Sequence, residues 1–253
     1  MKDEITVNGI KKYLSRDLKF ILKDVTESTN TDAKLLGADG AEEGLVVISK
    51  TQTAGRGRMD RVFFSPDESG IYMSLILRPK VSAEKSLFIT TAAAASAAIA
   101  FDELLNVKTD IKWVNDIYLN NKKVCGILTE STFSGDDSFC VLGIGINVYP
   151  PANGFPEDIK NKAGFLTDHC RVDLKNKIIA KVLDNFLDFY ENPDSKEFYR
   201  IYKEKNVLKG KIVEVPSKGM AKVLDIDENF HLIVEFEDKT KMSLMTGEVI
   251  INL

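Results

Sequence analysis

The feature that most constrains the fold is an uncharged stretch of 16 residues, 86–101, which consists mostly of alanine and threonine. With its flanks, over about residues 83–105, it has helical propensity throughout and contains neither glycine nor proline, which predicts one long helix. The stretch is shorter than the roughly 20 apolar residues that a membrane-spanning helix needs. We therefore expect a helix buried in the core of a globular protein, and no membrane partner.

Composition agrees with a globular chain and limits its partners. The 253 residues fit one large domain, or one large and one small domain. Hydrophobic residues make up 44% of the chain and charged residues 28%, which is unlike a disordered protein. The formal net charge of -4 gives no general attraction to nucleic acid or to an anionic membrane, so any anion-binding site must be local.

The cysteines and histidines argue against two common kinds of site. Cys125, Cys140 and Cys170 contain no close pair, so neither a disulfide framework nor a CxxC motif can be drawn. His169 and His231 are the only histidines, which argues against a metal site built from imidazoles.

The first residues lead into no apolar segment of the signal-peptide type. We predict a cytoplasmic protein.

Short apolar runs bounded by turn residues predict strands on both sides of the long helix. The runs at 19–26, 44–50 and 70–78 precede it. Three further runs follow it, "DIKWVNDIYLN", "KKVCGILTES" and "FCVLGIGINVY", and the turn-like segments between them predict an antiparallel meander. A second helix, with one apolar face, begins at about Asp173.

The pattern of predicted secondary structure changes at about Lys209. The remaining residues contain short strands at roughly regular spacing, separated by three turn-like segments. Such spacing is typical of a small barrel of the SH3-like kind. We therefore divide the chain into a large domain over residues 1–207 and a small C-terminal barrel over residues 208–253.

The arginine loop, residues 53–61 ("TAGRGRMDR"), places three arginines and two glycines within nine residues of an acidic chain. It is not a Walker loop, because the glycine is not followed by lysine and a hydroxyl residue, and Asp60 interrupts a dinucleotide fingerprint. On its own it could be a solvated basic turn or a nucleic-acid contact. Guanidinium groups bind phosphates and carboxylates bidentately, so we favour Arg56, Arg58 and Arg61 closing over such an anion, as a loop that orders when its ligand binds.

A second polar group supports a site for a charged ligand. Asn115 and Asp116 lie at a predicted strand end, and Lys123 lies on the return strand. Because side chains alternate along strands, these three can converge at one end of a sheet. A carboxylate, an amide and an ammonium group could serve a nucleotide and its metal ion.

The motifs together resemble the biotin protein ligases. The residues that carry the resemblance are "ESTN" (27–30), "TQTAGRGR" (51–58), "FFSP" (63–66), "IYMSLILRP" (71–79), "KWVNDIYLNNKKVCGILTE" (112–130) and "GIGINV" (143–148). The implied fold is α+β, a mixed and mainly antiparallel sheet with helices packed on it, of the class II synthetase-like kind, followed by an SH3-like barrel. No counterpart of the family's winged helix-turn-helix precedes the first strand, so the chain is similar to monofunctional ligases that do not bind DNA.

The resemblance implies a reaction in two steps. Biotin and MgATP give biotinyl-5'-AMP and pyrophosphate, and a lysine of a biotin carboxyl carrier protein then takes the biotin. A carboxylate with a pKa of about 4 is already ionised at neutral pH, so the first step needs positive charge and no general base. The alternatives are a lipoate or octanoate ligase, or a non-catalytic protein that binds biotin or nucleic acid. A homodimer through the central sheet is a further possibility by analogy.

The resemblance also implies a role for each matching residue. The expected catalytic set is Lys123, Arg58 and Asp116, with Mg2+ near Asp116. The expected biotin-binding residues are Ser28, Thr29, Asn30, Gln52, Arg56, Gly57, Arg58, Lys123 and Gly126. The expected ATP- and adenylate-binding residues are Arg58, Arg61, Phe63, Asn115, Asp116, Lys123 and Asn147.

Three residues depart from the family's usual pattern: Asp60, Phe63 and Val114 stand where glycine, tryptophan and proline are usual. Aspartate tolerates a positive φ at a cost that glycine avoids, and its charge should weaken the attraction of the arginine loop for anions. Phe63 can still stack on adenine, and Val114 keeps a backbone donor that proline lacks. We expect weaker closure of the loop in an enzyme that is still active.

Overall fold

The computed structural model of the protein describes residues 2–79, 85–133, 137–193 and 197–251. The helices are α1 (Val7–Lys11), α2 (Thr29–Ala38), α3 (Lys85–Leu105), α4 (Leu174–Glu191) and α5 (Glu197–Glu204), with a 3-10 turn at Arg58–Asp60. The strands are β1 (Lys19–Thr26), β2 (Leu45–Gln52), β3 (Gly70–Leu77), β4 (Asp110–Lys112), β5 (Asp116–Leu119), β6 (Lys122–Thr132), β7 (Phe139–Asn147), β8 (Ile212–Val215), β9 (Gly219–Ile226), β10 (Leu232–Phe236) and β11 (Lys241–Leu244).

Seven of these strands form a central sheet in the order β1-β2-β3-β7-β6-β5-β4. The edge pair β1 and β2 is parallel, and the other neighbouring pairs in the described sheet are antiparallel. All eight residues of β3 are buried, as expected for a strand covered on both faces. The predicted α+β fold with a mixed, mainly antiparallel sheet is confirmed.

One predicted strand is wrong. The run "DIKWVNDIYLN" reads as a single strand, but the structure divides it into β4 and β5, which pair with each other as a tight hairpin. Residues 113–115 form the turn. The hairpin brings Lys112 opposite Asp116, whereas spacing along one strand would have placed them well apart.

The long helix is confirmed as α3, and it lies in the core. Thr90 and Thr129 of β6 approach to 2.8 Å between their hydroxyl oxygens, so polar as well as apolar contacts join the helix to the sheet. The predicted start at residue 83 lies outside the described residues. The segment Ser86–Leu105 has the length and composition of a membrane span, contrary to the expectation from its uncharged part alone. Because 67% of its most apolar window is buried inside the protein, burial rather than length marks it as a core helix.

The remaining four strands form a small C-terminal β domain, in the antiparallel order β11-β10-β9-β8. This domain and the preceding helix α5 both contact the turn at 113–115. Trp113 Nε1 donates to the Phe230 carbonyl oxygen at 2.9 Å, and the buried Tyr202 hydroxyl of α5 donates to the Val114 carbonyl oxygen at 2.9 Å. These long-range contacts explain why a locally strand-like run bends here. The domain boundary between residues 207 and 208 stays a prediction.

Candidate active site

A cavity of about 730 Å³ opens between the arginine loop, the turn at 113–115 and the C-terminal residues 247–251. The structure brings together every residue that the sequence assigned to the site. These lining residues are Ser28, Thr29, Asn30, Gln52, Arg56, Gly57, Arg58, Arg61, Phe63, Asn115, Asp116, Lys123, Gly126 and Asn147. Their convergence therefore follows the sequence motifs, whereas their individual roles stay predictions.

The neutral end of the cavity consists of Ser28, Thr29, Asn30 and Gln52. The first three lie where β1 leads into α2, and they are 2%, 3% and 4% exposed. The Gln52 side-chain oxygen accepts from the Thr29 backbone nitrogen at 2.8 Å, and its amide nitrogen donates to Ser65 Oγ at 2.8 Å. Both ends of the Gln52 amide are thus fixed by hydrogen bonds, as buried polar groups require.

Ser74 of β3 forms hydrogen bonds to two residues of the neutral end. Its buried hydroxyl lies 2.7 Å from Thr29 Oγ1 and 2.6 Å from Asn30 Oδ1. A side chain at Gly143 of β7 would place a Cβ atom 2.0 Å from Asn30 Oδ1, so only glycine leaves room for this amide. Ser74 received no role from the sequence, although a serine within the mainly apolar run "IYMSLIL" was a usable signal.

The arginine loop folds back on itself as a small hairpin. The Gly57 nitrogen donates to the Arg61 carbonyl oxygen at 2.7 Å, and the Phe63 nitrogen donates to the Gly55 carbonyl oxygen at 2.8 Å. The positive φ values fall on Met59 and Asp60, at 55° and 58°, and not on the glycines of the loop. Asp60 therefore occupies the left-handed conformation in which glycine is favoured.

Each arginine of the loop contacts a different protein group. Arg56 Nη2 lies 3.1 Å from Glu130 Oε1, and Arg58 Nη1 donates to Asn115 Oδ1 at 3.1 Å. Arg58 also donates to the Gly247 carbonyl oxygen at 2.9 Å. The three cationic groups are therefore distributed along the cavity, with Arg58 between the loop, the turn and the C-terminal domain.

The charged end of the cavity consists of Arg58, Arg61, Lys112, Asp116, Lys123 and Glu248. Arg61 forms two hydrogen bonds to the Glu248 carboxylate, at 2.8 and 2.5 Å, and these bonds lower the pKa of Glu248 below its ordinary value. Lys123 Nζ lies 2.7 Å from Asp116 Oδ1. Burial lowers the pKa of Lys112, against the opposing charge of Asp116. The charged end thus balances four cations with two carboxylates, which favours an anionic ligand.

Phe63 lies across the two glycine positions of the sheet that face the cavity. A Cβ atom at Gly145 would lie 2.6 Å from its ring, and one at Gly126 would lie 3.2 Å from both the ring and Lys123 Cε. Gly126 therefore makes room for Phe63 and Lys123. Asn147 donates from its side-chain nitrogen to the Gly164 carbonyl oxygen at 2.9 Å, so a residue expected to contact adenine is also tied to a neighbouring loop.

Two parts of the cavity wall were missed from the sequence. The segment 155–163 lines the cavity and is joined to β6, since the Lys123 nitrogen donates to the Lys162 carbonyl oxygen at 2.8 Å. Gly247 and Glu248 enter from the C-terminal domain. Neither part carries a motif, and both reach the site only through the tertiary fold.

Comparison with known proteins agrees with this geometry. Residues 22–147 match the sequence model of the biotin/lipoate A/B protein ligase family. The chain belongs to this family. The matching segment contains every site residue named from the sequence, whereas the C-terminal domain lies outside it.

Two curated relatives carry ligase names. Over 148 residues the chain is 43% identical to the bifunctional ligase/repressor BirA of Bacillus subtilis strain 168, an alignment that covers 58% of this chain and 46% of that protein. Over 164 residues it is 32% identical to the biotin--[acetyl-CoA-carboxylase] ligase of Mycobacterium tuberculosis, covering 62% and 59% of the two chains. The chain thus spans about half the length of the curated relatives that it matches.

The fold match extends further along the chain. The solved structure of the biotin protein ligase from Aquifex aeolicus in complex with biotin and ATP superposes with a TM-score of 0.75 at 28% identity. It covers 92% of this chain and 97% of the Aquifex chain. The similarity to biotin protein ligases therefore includes the small C-terminal β domain as well as the central sheet.

Proposed function

We propose that this protein is a biotin protein ligase, which activates biotin with MgATP and transfers it to a lysine of a biotin carboxyl carrier protein. The observation that carries the proposal is the division of one cavity into a neutral end and a charged end. Biotin has a compact ureido group that both donates and accepts hydrogen bonds, which suits the hydroxyls and amides of the neutral end. Its carboxylate must meet the α-phosphate of ATP, which suits the charged end.

The chemistry of activation needs little beyond charge and position. A carboxylate oxygen of biotin forms a bond to the α-phosphorus, and the bond to pyrophosphate breaks, with its electron pair leaving on the pyrophosphate oxygen. Two anions approach and a third departs, so cationic donors lower the barrier most effectively. Lys123 and Arg58 are the cations assigned to the reacting groups, and Asp116 holds Lys123 by the 2.7 Å contact. In the second step the amine of the carrier lysine attacks the acyl carbon and AMP leaves.

The donor set around Asp116 is compatible with a Mg2+ ion that arrives with ATP. Among the described residues, no group of three or more His, Cys, Asp or Glu side chains could hold a metal ion by itself. Mg2+ normally takes one or two carboxylates together with substrate phosphates, and Asp116 with the Asn115 amide offers such a partial set. When bound, the ion would neutralise charge on the phosphates.

Biotin-dependent exchange of pyrophosphate into ATP tests the proposal. We expect the wild-type protein to catalyse this exchange and Lys123→Ala to reduce its rate by about 10²–10³-fold, as for the loss of a preorganised charge-stabilising donor. Absence of exchange by the wild-type protein at saturating biotin and MgATP would refute the proposal. Transfer to a purified carrier domain, followed by mass, tests the second step.

A lipoate or octanoate ligase is the second candidate, because the matching family includes lipoate ligases. Four polar residues at the neutral end favour the biotin ureido group over an aliphatic chain, since buried hydroxyls and amides need partners. Calorimetry with biotin and with lipoate separates the two candidates.

A non-catalytic nucleic-acid-binding protein would instead show salt-sensitive DNA binding without adenylate formation. We further propose that the protein is cytoplasmic and that it forms a homodimer through the central sheet.

A further inference from the structure

Glu130 of β6 is a charged residue beside the site to which no role has been assigned. Its side chain is 14% exposed, and it contacts three residues from two other parts of the fold. Oε2 accepts from Asn30 Nδ2 at 2.9 Å, whereas Oε1 lies 2.5 Å from Lys34 Nζ and 3.1 Å from Arg56 Nη2. One carboxylate thus joins the start of α2 to the arginine loop.

The contact with Asn30 fixes the orientation of that amide. Asn30 Oδ1 faces the Ser74 hydroxyl, and Nδ2 faces Glu130, so the two ends of the amide are held by different strands. Without Glu130, the buried Asn30 amide group would lose its acceptor at 2.9 Å and keep only a contact of 3.5 Å to the Leu128 carbonyl oxygen. Glu130 therefore acts directly on a residue of the neutral end.

The contact with Arg56 lies within the arginine loop. Arg56 pairs with Val62 across the small hairpin, so a group that holds Arg56 also holds one side of that hairpin. Although burial alone would raise the pKa of Glu130, hydrogen bonds from Lys34 and Asn30 and the charges of Lys34 and Arg56 keep this pKa below its ordinary value. The carboxylate is therefore charged at neutral pH, when Arg56 needs its partner.

We propose that Glu130 is a positioning residue that anchors Arg56 and orients Asn30, and thereby fixes the arginine loop relative to the neutral end of the cavity. Its effect on ligand retention rests on the proposed function, whereas its effect on the loop does not. A partly buried ion pair with a further hydrogen bond is strongly weakened when one partner is neutralised, because the remaining charge loses its compensation.

Glu130→Gln is the informative variant, since glutamine can still accept from Asn30 but cannot balance the charge of Arg56. We expect trypsin to cleave after Arg56 and Arg58 about tenfold faster, because local opening of the loop exposes these bonds. Cleavage after the exposed Lys218 in the C-terminal domain is the internal reference and should not change. Bound biotinyl-adenylate should dissociate about tenfold faster than from the wild-type protein.

Two controls separate anchoring from other effects. Glu42→Gln makes the same chemical change in an exposed ion pair with Lys19, where we expect unchanged cleavage and unchanged release. Glu130→Asp retains the charge and should restore most of the protection of the loop. In a double-mutant cycle, Glu130→Gln should have little further effect on cleavage after Arg58 once Arg56 is replaced by glutamine, because the ion pair is then already absent.

The outcomes are distinct. Cleavage after Arg56 at the wild-type rate in Glu130→Gln would overturn the proposal, and so would equal acceleration after Lys218, which would indicate general destabilisation. If the wild-type protein forms no adenylate, the proposed function fails, but the cleavage rates still decide whether Glu130 anchors the loop. Faster cleavage confined to the loop, together with rescue by Glu130→Asp, supports the anchoring role.

Discussion

The two ends of the cavity are stabilised by different kinds of interaction. At the neutral end, Thr29 and Asn30 are buried and linked to Ser74 through uncharged hydrogen bonds, and Asn30 in addition donates to the Glu130 carboxylate behind it. At the charged end, the pair of Arg61 and Glu248 has side-chain exposures of 65% and 27%, so water and salt can reach it. Buried neutral bonds define a fixed shape, whereas partly exposed ion pairs can exchange one anion for another. The protein thus combines a rigid part that selects its ligand with an adaptable part that accepts phosphate.

Among the substitutions proposed for the two ends of the cavity, we expect Ser74→Ala to have the largest effect, because it removes hydrogen bonds at the neutral end. Asn30 Oδ1 and Thr29 Oγ1 would lose the hydroxyl between them, and a buried polar atom without its partner costs about 1–3 kcal/mol. We expect the Kd for biotin, measured by calorimetry, to rise by about tenfold or more, with little dependence on salt. Ser96→Ala is the matched control, because Ser96 is equally buried but its hydroxyl donates to the Ala92 carbonyl oxygen within its own helix, away from the cavity.

A biotin Kd that stays within about twofold in Ser74→Ala would show that the buried hydroxyl does not shape the neutral end. A large loss that disappears at high salt would contradict the assignment of uncharged hydrogen bonds to the neutral end. It would mean that charged groups, and not neutral hydrogen bonds, determine binding at this end of the cavity.

Replacement of Glu248 by glutamine tests the role of charge at the charged end of the cavity. The Glu248 carboxylate occupies Arg61 and adds negative charge where phosphate is expected to bind, so its removal should favour ATP. We expect the affinity for ATP to rise by about threefold at low ionic strength and the difference to vanish in about 1 M salt, where the Debye length is only about 3 Å. Glu237→Gln makes the same change at an exposed turn of the same domain and should have no effect.

The opposite sign would be equally informative about Glu248. If Glu248→Gln lowers the affinity for ATP, the carboxylate holds Arg61 in place for the phosphates instead of competing with them. The bonds to Arg61 hold the pKa of Glu248 below its ordinary value of about 4.3, so the carboxylate is fully charged at neutral pH. Any stabilisation from the Arg61–Glu248 pair is present above the ordinary pKa and is lost as the pH falls through the lowered pKa. Assays at neutral pH therefore compare a charged glutamate with a neutral glutamine.

The two ends also differ in how far the sequence predicts them. Ser28, Thr29 and Asn30 lie side by side where β1 leads into α2, so local sequence places them together, and Gln52 joins them because its strand β2 pairs with β1. Glu248 is 187 residues from Arg61 along the chain, and no local pattern encodes that contact.

Other differences between expectation and structure have the same cause. The turn at 113–115 was missed because Trp113 and Val114 are held by Phe230 and Tyr202, which belong to distant parts of the chain. Glu130 lies inside a recognised motif, yet its role appears only when Arg56 and Asn30 are seen beside it. Motif spacing predicts which residues meet, but their partners depend on the tertiary fold.

Asp60→Gly should have an effect no larger than that of Glu248→Gln, and it tests how firmly the arginine loop closes over the charged end. Asp60 has a φ of 58°, which glycine adopts without the penalty of roughly 1 kcal/mol that other residues incur. The change also removes an exposed negative charge from a loop whose arginines attract anions. Both effects favour closure, so we expect bound biotinyl-adenylate to dissociate about threefold more slowly.

Asp60→Asn separates the two causes in this last experiment, because asparagine removes the charge but keeps a side chain at the left-handed position. If Asp60→Asn slows dissociation as much as Asp60→Gly, electrostatics dominates and the effect should fall as salt is added. If only glycine slows it, relief of the backbone conformation dominates and the effect should be independent of salt. Dissociation from Asp60→Gly at the wild-type rate would mean that the loop closes equally well with aspartate, and that neither term limits retention at the charged end.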